Sequence, residues 1–300
     1  MDKELLEKCM LCPRLCAVDR TKGEIGVCGE TDKVQLARAA LHFWEEPCIS
    51  GDTGSGTVFF TGCNLRCVYC QNREISCGDC GKEVSLERLA EIFLELQNKG
   101  AANINLVTPT HFVPQIIWAV SEAKGRGLKI PIVYNSSGYE RLETVKLLKN
   151  TVDIYLVDFK YASSFLSEKY SAASDYSRMA QLALDEMVRQ QPLLEFDENS
   201  MMKRGVIVRH LMLPDNLEDS KAVVRYLYET YGERIYLSLM RQFTPYKIPD
   251  GFPELCRTVT DDEYEQLLQF ALDLGVENAF IQEGEAAEES FIPPFDFEGI

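Results

Sequence analysis

Five cysteines fall within TGCNLRCVYCQNREISCGDCG, residues 61 to 81, and thiols at this density serve to hold a metal or to exchange electrons. Cys63, Cys67 and Cys70 follow C-x3-C-x2-C, with Tyr69 before the last. A structural zinc site closes with four protein ligands, commonly from paired C-x2-C knuckles. Three thiolates on one tight loop instead suit three irons of a cubane 4Fe-4S cluster and leave the fourth iron open to a substrate or cofactor. Cys9, Cys12, Cys16 and Cys28 are spaced C-x2-C-x3-C-x11-C, enough thiolates for one closed site holding either zinc or an auxiliary iron–sulfur cluster. Pro13 and the glycines at 23, 26 and 29 let that loop wrap tightly. Cys77 and Cys80 have knuckle spacing too. They read as accessory surface thiols, with a four-thiolate set shared with Cys9 and Cys12, or a thiol–disulfide pair, as alternatives. Cys48 and Cys256 stand alone and read as buried thiols.

Those residues need a scaffold, and 300 residues at 46% hydrophobic and 26% charged content suffice for one large domain plus a small appendage. From Thr57 onward, short β-branched or aromatic runs alternate with helical periods. Strands are expected near 57–61, 104–108, 130–135, 152–159, 205–211, 234–239 and 278–282. Helices are expected over 85–99, with Ser85 and Gly100 as its caps, and over 112–124, 139–148, 176–190, 217–231 and 261–274. Such alternation implies a parallel sheet, open and doubly wound or barrel-like. Polar side chains follow strand after strand: Cys63, then Thr108 to His111, Asn135 to Ser137, Asp158 and Lys160, Arg209 and His210, Arg241 and Gln242, Gln282 and Glu283. That is where barrel active sites gather. The expected fold is therefore α/β, a partial (β/α)6 TIM-like barrel over residues 51–300 with a C-terminal extension, preceded by a small cysteine-rich appendage at 1–50. Phe43, Trp44, Met201 and Met202 are expected to fill packing space, and His42, His111 and His210 to be structural.

Charge and leader signals bound the setting. Lys and Arg number 31 against 47 Asp and Glu, a net −16, which disfavours nucleic-acid binding. The acidic stretches at 261–265 and 283–289 read as solvated. MDKELLEKC lacks an apolar core for a signal peptide, and no run of about 18 apolar residues suggests a membrane span. The expected address is cytoplasmic, where cysteines ligate metals more often than they form disulfides.

The three-cysteine loop resembles the signature of the radical S-adenosylmethionine superfamily. Together with CMLCPRLCAVDR, LHFWEEPCISG, NLVTPTHF, YNSSGYE, DIYLVDFKY and RHLMLP, it resembles the branch of iron–sulfur proteins related to pyruvate formate-lyase activating enzymes. The resemblance implies that Cys63, Cys67 and Cys70 ligate a 4Fe-4S cluster whose fourth iron is chelated by S-adenosylmethionine. Reductive cleavage of that cofactor yields a 5′-deoxyadenosyl radical that abstracts hydrogen from a substrate. It further implies cofactor contacts from Tyr69, Asn135, Asp158, Lys160 and Arg209, with Thr108 to His111 standing where the superfamily has a glycine-rich motif. Structural ion pairing is the competing reading of Asp158, Lys160 and Arg209. The partners implied are an external low-potential donor of flavodoxin or ferredoxin type and a protein, peptide or small-molecule substrate, activation of a glycyl-radical enzyme being one case. The alternative is an iron–sulfur electron-transfer or metal-binding module without radical chemistry.

Overall fold

The computed structural model describes residues 3–78, 80–281 and 293–300. Its ten strands among the described residues are β1 (Val34–His42), β2 (Ser55–Phe60), β3 (Lys82–Val84), β4 (Ile104–Val107), β5 (Ile132–Ser136), β6 (Ile154–Asp158), β7 (Glu195–Phe196), β8 (Met202–Leu211), β9 (Tyr236–Met240) and β10 (Ala279–Ile281). The sheet runs β10-β9-β8-β6-β5-β4-β2-β1-β3, with β7 paired to β8. From β2 to β10 the main-path pairs are all parallel and stand in chain order. A doubly wound sheet reverses direction at a switch point. This one never does, which is the topology of a barrel that has not closed.

Strands β2 and β4 are buried along their whole length, as strands covered on both faces must be. The outer face packs against α4 (Leu86–Asn98), α5 (Val113–Gly125), α6 (Leu142–Leu147), α8 (Tyr176–Gln190), α9 (Leu217–Tyr231) and α10 (Asp261–Leu274). Ser85 caps α4 by accepting from Arg88 N–H, and Thr260 and Glu263 form a reciprocal capping box on α10. On the inner face, Cys48 and Ile49 of the short turn α2 (Pro47–Ser50) plug the barrel against Val133, Ile154, Leu156 and Ile207.

Both ends of the chain return to this scaffold. β1 lies within residues 1–50, yet it pairs antiparallel along β2. Phe297 N–H donates to Ala37 O at 3.1 Å, and Ala39 N–H to Glu298 O at 2.8 Å, so residues 293–300 brace β1 in turn. The expected helix at 139–148 shortens to α6 because Glu140 turns inward to Thr110 and Tyr134. A helix not expected, α7 (Ser164–Ser171), starts at Ser163, whose side chain accepts from Leu166 N–H. Three packing expectations are corrected: Phe43, Trp44 and Cys256 are exposed. Cys48 is buried as expected. Gln282, Glu283 and the acidic run 283–289 lie outside the described residues. No helix among the described residues is long and apolar enough to cross a membrane.

Candidate active site

At the carboxyl ends of the parallel strands lies a cavity of about 240 Å³ lined by Cys63, Cys67 and Cys70. The chain leaves β2 through Gly62 at φ +74°, where a Cβ would stand 2.5 Å from Glu30 Cγ and 2.7 Å from the Cys28 carbonyl. Only glycine lets residues 28 to 30 approach this closely. Leu65 N–H donates to Cys63 Sγ at 3.3 Å and Ser171 Oγ–H to Cys67 Sγ at 3.1 Å. Burial raises the Cys63 pKa and pushes Cys70 up to about 12, so these thiols release their protons only to a centre whose positive charge outweighs desolvation. Among the described residues no group of three or more Cys, His, Asp or Glu side chains is placed to hold one metal ion. The three thiols form an open set around a shared cavity, free of disulfides. Three sulfurs with no carboxylate among them suit a soft metal centre, a cubane held at three corners being one such centre.

Beside the thiols is a connected polar array. Asp158 and Lys160 stand two residues apart at the end of β6, and Asp158 pairs in register with Arg209 of β8. Lys160 Nζ donates to Asp158 Oδ2 at 2.6 Å, and Arg209 Nε to Asp158 Oδ1 at 2.9 Å. Arg209 also donates to Asn135 Oδ1 at 2.6 Å and to Glu45 Oε2 at 3.1 Å. Glu45 accepts in addition from Asn105 at 2.9 Å. Burial works against the Asp158 charge, but the Arg209 and Lys160 cations outweigh it and hold its pKa low. Burial likewise opposes the Lys160 charge, and Asp158 reverses that. For Glu45 burial prevails and the pKa is raised. Four charged side chains gathered in a buried cavity cost desolvation that apolar packing avoids, and their clustering in a cleft makes it a candidate binding site.

The structure thus brings Asn135, Asp158, Lys160 and Arg209 together with the three thiols. Tyr69 joins them at the cavity wall, edge-on to Tyr170 and Phe243, and accepts from Tyr161 O–H at 2.7 Å. His210 faces away, its Nδ1 2.9 Å from Phe159 O, and His111 is buried with Nε2 2.7 Å from Thr61 O. Of the segment Thr108 to His111 only Thr108 reaches the cavity. Glu45, Tyr161 and Ser171 were not singled out from sequence. Cys9, Cys12 and Cys28 are buried and close enough for the thiolate charges of Cys28 and Cys9 to raise the Cys12 pKa, which burial chiefly drives up to about 12. Cys16 is half-buried, its sulfur accepting from Val27 N–H at 3.3 Å.

The family model of the Radical SAM superfamily matches residues 57–184, the segment that carries Cys63, Cys67, Cys70, Tyr69, Asn135, Asp158 and Lys160 but not Glu45, Arg209 or the N-terminal cysteines. Two uncharacterised proteins of Methanocaldococcus jannaschii are similar to the chain. One is 28% identical over 278 residues, 90% of this chain and 75% of that protein; the other is 22% identical over 310 residues, 95% and 84% respectively. Among solved structures, a methylornithine synthase aligns at TM-score 0.48 and 13% identity over 70% of this chain and 59% of its own. A domain of a pyruvate-formate lyase-activating enzyme from Bacteroides vulgatus aligns at TM-score 0.38 and 17% identity over 57% of this chain and 92% of its own.

Proposed function

We propose that this chain, whose residues 57–184 match the family model of the Radical SAM superfamily, works as a radical SAM protein in which Cys63, Cys67 and Cys70 hold a 4Fe-4S cluster and the neighbouring polar array holds S-adenosylmethionine. The observation that carries the reading is the meeting of three thiols with Glu45, Asn135, Asp158, Lys160 and Arg209 in one cavity. When bound, cluster and cofactor together supply a low-potential electron and a radical that takes hydrogen from a substrate. The chain's own residues bind, orient and exclude water. Lys160 and Arg209 offer two cations and Asp158 and Glu45 two anions, a pattern that addresses both charges of a zwitterionic amino-acid moiety. Tyr69 offers an apolar ring at the wall for the adenine. The plug at Cys48 and Ile49 seals the inner face below, so a reactive species formed above it meets no water from that side.

In this reading Cys9, Cys12, Cys16 and Cys28 of residues 1–50 hold zinc or an auxiliary cluster, and residues 51–300 form the catalytic core, completed by β1, Glu45 and the Cys48–Ile49 plug from the preceding segment. An external donor of flavodoxin or ferredoxin type supplies the electron. The substrate, a protein, peptide or small molecule, enters past Trp44 and Gln242 at the mouth. A peptide glycine, as in activation of a glycyl-radical enzyme, is the first substrate to assay.

The test is an EPR spectrum of anaerobically reconstituted, dithionite-reduced protein with and without S-adenosylmethionine. A reduced-cluster signal that changes shape with the cofactor supports the reading. A cluster signal indifferent to the cofactor would leave an electron-transfer module in its place.

A further inference from the structure

The side chain of Arg14 joins the N-terminal thiol loop to the loop of Cys63, Cys67 and Cys70. Arg14 stands between Cys12 and Cys16, its guanidinium 5.1 Å from the centre of the Tyr139 ring. Nε donates to Asn64 O at 2.8 Å, Nη2 to Ser171 O at 3.0 Å and Leu65 O at 3.5 Å, and Nη1 to Ala172 O. These acceptors are all main-chain carbonyls, so the fork grips backbone.

A peptide unit has two ends. The Asn64 carbonyl shares its unit with Leu65 N–H, which donates to Cys63 Sγ at 3.3 Å. The Leu65 carbonyl shares its unit with Arg66 N–H, whose dipole also favours the Cys63 thiolate. Arg14 therefore holds, from the carbonyl side, both peptide units whose N–H ends face that sulfur. Its third acceptor, Ser171, gives its own hydroxyl hydrogen to Cys67 Sγ at 3.1 Å. Arg66 adopts φ +55°, a left-handed conformation that non-glycine residues hold only when the surroundings fix it.

The loop that presents Arg14 is shaped in the same way. Leu15 and Ala17 lie at φ +46° and +56°, Leu15 N–H donates to Cys12 O at 3.1 Å and Ala17 N–H to Cys9 O at 2.8 Å. A second contact runs in parallel. The fully buried Arg20 places Nη1 3.9 Å from Cys9 Sγ and donates to His111 O, while His111 Nε2 stands 2.7 Å from Thr61 O, two residues before Cys63.

We propose that Arg14 is a positioning residue for the cysteine loop: delivered by the N-terminal Cys12–Cys16 loop, it aims the peptide N–H groups at Cys63, so the state of the N-terminal thiols sets the reduction potential of the centre that Cys63, Cys67 and Cys70 hold. The inference rests on the reading that these cysteines hold a 4Fe-4S cluster. Hydrogen bonds to ligating sulfurs and nearby positive charge both favour the reduced, more negative state and raise the potential of such a centre. Removing Arg14 weakens both.

The experiment is an EPR-monitored redox titration of full-length reconstituted protein as wild type, Arg14→Gln, Arg14→Lys and Cys16→Ser, with iron per chain measured alongside. Arg14→Gln is expected to shift the reduction equilibrium about tenfold towards the oxidised state, about 59 mV for one electron, at unchanged iron content. Arg14→Lys keeps the charge and loses the fork, and shifts less in the same direction; it decides the question if the glutamine variant fails to fold. Cys16→Ser disturbs only the presenting loop and is expected to shift the potential the same way, with the double variant falling short of the sum. Iron-loaded arginine variants at the wild-type potential would overturn the role of Arg14, and Cys16→Ser at that potential would overturn the link to the thiol loop. Both results leave the proposed function standing. A wild type with no reduced-cluster signal at all overturns both readings together, whereas a cluster signal indifferent to the cofactor overturns the proposed function alone.

Discussion

Glu45 shows how a site residue escapes notice in a sequence. It lies in LHFWEEPC, just after β1, where nothing in spacing or residue type separates it from a surface acid. Only the return of that segment beneath the strand ends brings its carboxylate to Arg209, Asn105 and Asn135. The thiols were legible because all three lie within one short loop of eight residues at a recurring spacing, whereas ion-pair partners on different strands need share nothing in sequence. Glu45→Gln still accepts from Asn105, so the fold is expected to hold while S-adenosylmethionine binding weakens roughly tenfold. Asp158→Asn strips both Lys160 and Arg209 of their shared partner and is expected to cost about 3 kcal/mol, more than a hundredfold in binding. Calorimetric titration of both variants ranks them, and equal affinities for Glu45→Gln and wild type would make Glu45 a brace alone. Cys63→Ala is expected to lose bound iron and all cofactor cleavage while circular dichroism shows the fold retained.

At the scale of elements, regular alternation placed the seven parallel strands, because a strand covered on both faces is nearly continuous in apolar residues and its helix is capped by readable residues such as Ser85 and Thr260. It missed α7, whose start at Ser163 follows directly on the polar end of β6, and overextended α6, where burial of Glu140 overrides helical periodicity. It also could not show that β1 joins the sheet edge, since antiparallel pairing across a connection leaves no spacing rule. The β2-to-cysteine connection has a sharper test. Gly62→Ala adds a Cβ at φ +74° within 2.7 Å of the Cys28 carbonyl, an immovable neighbour. Strain and overlap together are expected to cost about 3 kcal/mol and to loosen residues 28–30. Gly100→Ala also sits at positive φ, +88°, but meets nothing within 4 Å, so strain alone, about 1 kcal/mol, is expected. Urea midpoints at constant m-value separate the two, and similar losses would mean that the close approach of residues 28–30 is not maintained in solution.

Across the whole molecule, the N-terminal loop, the loop after β4 and the loop after β5 converge, and the buried acid Glu140 sits among them. Glu140 Oε1 accepts from Thr110 Oγ–H at 2.6 Å and from Tyr134 O–H at 3.4 Å, while Thr144 and Arg141 nearby donate to Leu11 O and Met10 O. Burial raises the Glu140 pKa from 4.5 to about 7. Between those values the folded chain keeps a proton that the unfolded chain has released. The resulting stabilisation is therefore full below about pH 4.5 and is lost as pH rises through 7. The gap limits the effect to about 3 kcal/mol. Asp158, whose pKa is lowered from 3.8, acts only below that window and with the opposite sign. Other buried acids with raised values, Glu30 and Glu46 among them, add to the same slope, so wild type alone cannot isolate Glu140. Glu140→Gln keeps the acceptor and removes the titration. Urea unfolding at pH 5 and pH 8 is expected to show wild type losing up to about 3 kcal/mol more than Glu140→Gln over that interval, and the same loss in both would mean that water reaches this carboxyl and the three loops do not close over it.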